Sequence, residues 1–325
     1  MTSAAALALI STATFAETER GAAARDDAAT LATTGFLDAR DDLDPAVFDA
    51  YWRDAHGPLA ARIDGIHQYW QHHLGAPDPS VLPAGVAAIG IATAVSNADQ
   101  LEGLAEVTFA SEADRAGMGA SPAAAQLMVD EQNAFKGTYL HSTLAGDTRT
   151  LIDLAVDGAP QGSRAEYRVI LLIAANEAGD RAAFRDRISD AIAAPLAASQ
   201  GAVKVRTHLF APYAAAGWDT PNVDNDRTQD QAFDAWIELA FDTREAAQTA
   251  LVSVETALAS PEAITAVHAY PVRETYTLVY GGRPTVVGLR GYAVAATAAA
   301  VGADNQRSLP VLRSLHGPAV EAPAE

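Results

Sequence analysis

The chain contains no cysteine among its 325 residues. Disulfides, thiol nucleophiles, thiolate-held zinc and iron–sulfur clusters are thereby excluded. Any metal or haem would have to be held by His, carboxylate or Tyr. Positive charge is also scarce: 22 Lys and Arg stand against 41 Asp and Glu, a formal net charge of −19. A phosphate backbone or an anionic membrane surface would be repelled, so neither nucleic acid nor membrane is an expected partner. No apolar run reaches the ~20 residues that a transmembrane helix needs. The stretch from Ala4 to Ala16 is short, is interrupted by Ser11 and Thr12, and follows Met1-Thr2-Ser3 without a Lys or Arg. It therefore reads as an Ala-rich lead rather than an export signal, and a cytoplasmic location is expected. A Walker loop, a Gly-x-Gly-x-x-Gly turn, a Gly-x-Ser-x-Gly elbow and a His-Glu-x-x-His helix are missing too. Nucleotide hydrolysis, NAD-linked redox and serine hydrolase chemistry are not expected.

What is present is an ordinary globular composition, 49% hydrophobic and 19% charged, with an internal echo. Asp44-Pro45-Ala46-Val47-Phe48 resembles Asp180-Arg181-Ala182-Ala183-Phe184, and Pro58-Leu59-Ala60-Ala61 recurs as Pro195-Leu196-Ala197-Ala198. Glu106-Val107-Thr108-Phe109 is followed in the same order by Glu238-Leu239-Ala240-Phe241. The common order predicts a duplication.

Each half reads as strand, helix, strand, strand, helix, strand. In the first, a strand over 29–38 precedes Asp44, a helix N-cap with Pro45 at the first helical position. That helix runs to about Ile63 and stops at Gly65. Strands follow over 66–73, 101–110 and 138–144, with a helix over 112–135 before the last. In the second half the strands are 167–175, 202–210, 233–241 and 264–270, and the helices 180–199 and 243–260. The expected fold is α+β: two ferredoxin-like βαββαβ repeats packed sheet to sheet as an internal pseudo-dimeric α+β barrel. The expected divisions are a lead over 1–28, repeats over 29–150 and 165–275, and a tail over 276–325. The Pro-rich stretches 74–100 and 211–230 read as insertions over the mouth of each half.

The densest ring cluster lies in the first half. Phe48, Trp52 and His56 are spaced four apart and share a helix face. On the next strand, alternation sends His67, Tyr69 and His73 one way and Trp70 and His72 the other. Imidazole is the side chain suited to acid–base work near neutral pH. A shared metal on His72 and His73 is disfavoured by their opposite faces, so no metal site is expected. Arg53 and Asp54 read as a solvated helix face.

The run Phe48-Asp49-Ala50-Tyr51-Trp52-Arg53-Asp54-Ala55-His56-Gly57-Pro58-Leu59, followed by Gly65-Ile66-His67-Gln68-Tyr69, resembles the signature of EthD-domain proteins. That family is similar to the wider dimeric α+β barrel superfamily, and the resemblance covers about residues 36–145. It implies a ligand cavity between the sheet and its helices. Relatives of that superfamily include muconolactone isomerases, polyketide cyclases, cofactor-free monooxygenases and haem peroxidases, so fold does not choose the reaction. EthD-type members imply dehydration or decarboxylation of aromatic polyketides.

Aligning Pro58 with Pro195 sets His56 opposite Ala193, Tyr69 opposite Arg206 and His72 opposite Leu209, which predicts one active site per chain, in the first half. The expected catalytic residues are His56, His67, His73 and Tyr69; the expected substrate contacts are Tyr51, Trp52, Trp70, His72 and His141. The expected function is a cofactor-free lyase or isomerase using His acid–base chemistry on a hydrophobic aromatic or polyketide-like molecule, in a monomer or homodimer. An oxidative enzyme of the same fold, cofactor-free or haem-dependent, and a non-catalytic ligand carrier are the alternatives.

Overall fold

The computed structural model describes residues 26–29, 31–154, 159–214, 218–228 and 231–324. The Ala4–Ala16 stretch lies outside them. In the first half, strand β1 (Leu31–Ala39) leads to helix α1, built of consecutive pieces Pro45–Tyr51, Trp52–His56 and Gly57–Ala60. Asp44 caps it as expected, its carboxylate accepting from the Ala46 N–H at 2.9 Å, with Pro45 first in the helix. Strands β2 (Ile66–Leu74) and β3 (Gly103–Phe109) follow, then helices α2 (Glu112–Gly117) and α3 (Pro122–Glu131), then β4 (Phe135–Asp153). The single helix expected over 112–135 is thus broken. Pro122 cannot continue a preceding helix but fits the first turn of a new one, and Phe135 already opens the strand.

The second half repeats this order with β5 (Tyr167–Ala175), α4 (pieces Arg181–Asp186, Arg187–Ala193 and Ala194–Ala197), β6 (Ala202–Phe210), β7 (Ala235–Phe241), α5 (Arg244–Ser253) and β8 (Ile264–Tyr280). After it come α6 (Val286–Arg290), α7 (Tyr292–Ala300) and α8 (Leu309–His316).

The result is a mixed α/β protein with one large antiparallel sheet. Its eight main strands run in the order β8-β2-β3-β1-β4-β6-β7-β5, and β5 pairs back to β8 to close the ring. The halves are therefore joined edge to edge, not only face to face. The first part of β4 pairs with β1 and its continuation, Thr143 to Asp153, pairs with β6. Likewise β8 pairs with β5 up to Pro271 and with β2 from Val272 onward. Both strands run past the ends expected for them, because their outer portions serve the opposite half.

Inside the ring the two halves share one core, in which Phe36, Leu104 and Tyr139 meet Ile170, Phe210 and Trp236. Outside it, each half carries a helical layer. The segment 74–100 does not sit over the first half: Val81, Leu82, Val86 and Ile91 pack into the layer of the second, beneath α4 and α5. Conversely, Trp218 from the 211–230 stretch packs into the layer of the first half.

A buried charge network occupies the ring interior. Arg206 Nε donates to Glu106 at 2.9 Å, His72 and His208 approach the same carboxylate at 3.3 Å, and Glu238 is paired with Arg168 and, at 2.7 Å, Lys204. Burial works to raise both carboxyl pKa values, but Arg206 and His208 beside Glu106, and Lys204 and Arg168 beside Glu238, hold both well below the usual range. The strands Ile66–Leu74 and Ala202–Phe210 align end to end, which sets His72 opposite His208 and Trp70 opposite Arg206. The alignment through Pro58 and Pro195 is therefore out of register by one residue on this strand, and the second half keeps a histidine there.

Candidate active site

The site is built where α1 crosses the outer face of the first-half strands. Trp52 is fully buried, packed on Phe48 and on the His73 ring at 4.4 Å. Between Trp52 and His56 the helix widens, the Gly57 N–H reaching back five residues to the Trp52 carbonyl. Such turns are frequent at functional sites. Here the equivalent piece of α4, Arg187–Ala193, is widened too, so the turn belongs to the shared helix geometry and not to the chemistry of one half. Gly57 is dictated by packing: a Cβ there would lie 2.4 Å from Leu278 and 2.7 Å from Gln71 Nε2. Gly103 is bare for the same reason, lying against the Trp52 ring.

Beneath this helix lies a cavity of about 70 Å³. Thr33, Trp52, His56, Tyr69, Glu131, Thr138 and Trp218 are the residues of its lining with polar side-chain atoms, and Leu37, Ile63, Leu127 and Phe135 are among its apolar walls. His56 is 5% exposed, and its Nδ1 lies 3.0 Å from Asp130 Oδ2. Asp130 also accepts from the Tyr51 hydroxyl at 2.6 Å. Burial would raise the Asp130 pKa, but the hydrogen bonds from His56 and Tyr51 outweigh it and hold the carboxyl below its ordinary value. A carboxylate on Nδ1 places the proton there and leaves Nε2 as the reactive nitrogen; among the described residues Nε2 has no hydrogen-bond partner.

The neighbouring Glu131 behaves oppositely. It is 3% exposed and accepts from Trp218 Nε1 at 3.0 Å and from the Thr220 hydroxyl. Burial dominates and raises its pKa. Tyr69 accepts from Gln71 Nε2 at 3.0 Å, which leaves its own hydroxyl proton available, and burial pushes its pKa up to about 12. On two of the lining residues, Thr138 Oγ1 is buried with no hydrogen-bond partner among the described residues, and Trp52 Nε1, also buried, has only the Tyr69 hydroxyl beside it, without good hydrogen-bond geometry. Unmet buried donors are costly, and here they mark a space prepared for a polar atom.

Of the residues expected from sequence, His56, Tyr69 and Trp52 line this cavity, and Tyr51 reaches it through Asp130. His67 is half-buried, is absent from the cavity wall, and has its pKa lowered by burial. A register shift between Ile66 and Gln68 breaks the alternation, so that Ile66 and Tyr69 share the cavity side. His73 lies on the helix side but is tied to Asp49 at 2.9 Å and stacked on Trp52, which makes it a support for that ring. Trp70 and His72 lie on the opposite face, in the ring interior with Arg206 and Glu106. His141 does not share a cavity with His67 or His73. Its Nδ1 lies 3.4 Å from the Tyr139 carbonyl, its Nε2 accepts from the Phe233 N–H at 3.3 Å, and burial lowers its pKa to about 3.

Arg53 and Asp54 are not a solvated face either. Arg53 stacks on Tyr276 and Tyr292, and Asp54 Oδ1 accepts from the Ala293 N–H at 3.0 Å at the start of α7. Asp130, Glu131, Thr138 and Trp218 were not among the expected site residues. The one available signal was the adjacent acidic pair at the end of a helix, immediately before the last strand of the half.

Two groups can be tested against these surroundings. His72, Glu106 and Glu238 offer ligand atoms within 4.8 Å of one another, but Arg168, Lys204 and Arg206 already neutralise both carboxylates. A cation there would meet three fixed positive charges, so the donor set does not suit one. A haem needs a histidine nitrogen directed into a space of its own size. His56 Nε2 faces only about 70 Å³, and His141, on the wall of a larger space, has both ring nitrogens engaged. These residues do not fit the group.

Among solved structures, an anthrone oxidase-like protein is similar at 12% identity and a TM-score of 0.48, covering 78% of this chain and 94% of that one. A monooxygenase-like protein from Fusobacterium nucleatum subsp. nucleatum is similar at 8% identity and a TM-score of 0.44, covering 79% and 97%. A chlorite dismutase variant from Candidatus Nitrospira defluvii is similar at 9% identity and a TM-score of 0.34, covering 78% and 94%. These are similarities of fold. No curated protein matches the chain, and no described helix is long and apolar enough to cross a membrane. The family model of the EthD domain matches residues 40–137, the stretch that holds His56, Tyr69, Asp130 and Glu131.

Proposed function

We propose that the cavity beneath α1 is the active site of an enzyme that moves protons, without a cofactor, on a hydrophobic aromatic or polyketide-like molecule: an elimination, a decarboxylation or an isomerisation. One observation carries this reading. His56 is held by Asp130 through Nδ1 while its Nε2 stands unpaired in an apolar enclosure.

In this arrangement Nε2 takes the substrate proton, and the Asp130 carboxylate stabilises the imidazolium that results. The Tyr69 hydroxyl, Trp52 Nε1 and Thr138 Oγ1 supply donors for the oxyanion that develops as the proton leaves. Glu131 is the complementary acid, since burial keeps its proton on to higher pH than an ordinary carboxyl. A carboxyl pair pushed apart in this way, Asp130 down and Glu131 up, separates the ionised from the proton-carrying role. We further propose that the chain is a duplication of a ferredoxin-like βαββαβ unit with one equipped half. Ala193 stands opposite His56, and Val81, Leu82, Val86 and Ile91 fill the layer of the other half.

The test is turnover of a panel of aromatic ketones and lactones by the wild-type protein and His56→Ala. Loss of turnover with an unchanged melting temperature supports the assignment; an active His56→Ala protein overturns it. A Soret band formed on adding haem and lost in a histidine variant would replace this reading with an oxidative one.

A further inference from the structure

A second space, of about 600 Å³, lies beside the cavity. Thr33, Met118, Leu140 and Trp218 belong to the walls of both, so the two spaces meet across these four side chains. We propose that the larger space is the vestibule of the active site and holds the greater part of a neutral, amphipathic substrate, whose small apolar end passes between Met118 and Trp218 to reach His56. The orientation rests on the function proposed above; the binding does not.

Size supplies the first argument. A cavity of about 150 Å³ accommodates benzene, and ligand sites commonly exceed about 300 Å³. The cavity at His56 is about 70 Å³, enough for a methyl group or the edge of a ring but not for an aromatic molecule. The vestibule supplies the missing volume.

Chemistry supplies the second. Ala116, Ala211, Pro212 and Ala214 give the vestibule apolar walls, while Thr33 and Ser142 bring hydroxyls, 3.3 Å apart, and Tyr213, whose hydroxyl is taken up by the Asn225 carbonyl and the Arg227 N–H, brings its ring. Its charges are already spent: Arg115 donates to both oxygens of Glu112, at 2.7 and 2.6 Å, and to the Thr143 carbonyl at 2.8 Å. His141 stays neutral and presents a ring face, 4.7 Å from that of Tyr213. A wall of ring faces, hydroxyls and internally neutralised charge suits an uncharged polar molecule better than an anion or a cation.

The experiment uses the full-length protein and prodan, a neutral naphthalene ketone whose emission shifts to the blue when it leaves water. Ala116 is exposed on α2 and lines the vestibule; Ala113 is exposed on the same helix and does not. Saturable binding by the wild type, weakened about tenfold or more in Ala116→Trp and unchanged in Ala113→Trp, is the expected result. No saturable binding by the wild type, equal binding by Ala116→Trp, or equal weakening by Ala113→Trp overturns the proposal. His56→Ala should still bind prodan, so loss of the catalytic reading and loss of the vestibule are told apart.

Discussion

His56 and Asp130, 74 residues apart in the chain, meet at 3.0 Å with the imidazole Nδ1 against one carboxylate oxygen. The other oxygen is taken by Tyr51, from the same helix as His56. The contact thus fixes the ring orientation as well as its tautomer. Replacing Asp130 by Asn removes the charge but not the bulk. On the proposed chemistry kcat should fall about 10²-fold or more with little change in KM, because the interaction is used only as the proton moves. Steady-state kinetics on a turned-over substrate checks this. A change confined to KM would mean that Asp130 serves binding alone.

The charge network inside the ring is expected to be costly to break from one side. Arg206→Met would leave Glu106 buried at 1% exposure with only imidazoles beside it, a loss of about 3–5 kcal/mol. Combining it with Glu106→Leu should recover part of that loss, since the fully buried carboxylate is then gone and only Asp26, whose side chain is 15% exposed, has lost the Arg206 charge. Chemical denaturation of the single and double variants measures both values.

Acid should destabilise the fold through His141. Burial holds its folded pKa down at about 3, far below the ordinary value of 6.5. Between those limits the unfolded chain binds a proton that the folded one does not, so stability rises with pH across this window. Equivalently, it is fully present above about pH 6.5 and declines as pH falls toward 3, by at most about 1.4 kcal/mol per unit for this one group. His141→Phe should flatten the profile between pH 6 and 4, a range taken from this window. Urea titrations at several pH values read the slope directly, and an unchanged slope would refute the assignment.

Asp54 ties α1 to the C-terminal helices through the Ala293 N–H. Asp54→Ala removes an acceptor from the first turn of α7 and should cost about 1 kcal/mol. The local consequence is sharper than the global one. Faster proteolysis within Tyr292–Ala300, with cleavage elsewhere unchanged, is the expected pattern.

Strand β5 was legible because Val169 to Ala175 is a bounded apolar run, and β6 because Val203, Val205 and Thr207 alternate with Lys204, Arg206 and His208 shortly after Gly201. The ends of β4 and β8 were not. Thr148-Arg149-Thr150 and Arg273-Glu274-Thr275 read as polar connections, and only pairing with β6 and β2 makes them strands. The motif helix revealed His56 and Trp52 through their four-residue spacing, and Tyr51 only through the family resemblance. Asp130 was invisible from there, since nothing local joins two residues so far apart. The strand from Ile66 to His73 misled in another way: strict alternation gave His67 the face of Tyr69, and a one-residue register shift took it away.

The crossing of β4 and β8 from one half to the other has a thermodynamic consequence. Neither half can lose its sheet without stripping an edge strand from its neighbour, and the common interior core would be opened in the same event. At this length a chain would ordinarily be free to melt in stages. Here the ring should melt as one cooperative unit, with the calorimetric enthalpy matching the van't Hoff value. Separately expressed halves should neither fold nor persist alone, and mixed together they would have to assemble before either acquired structure.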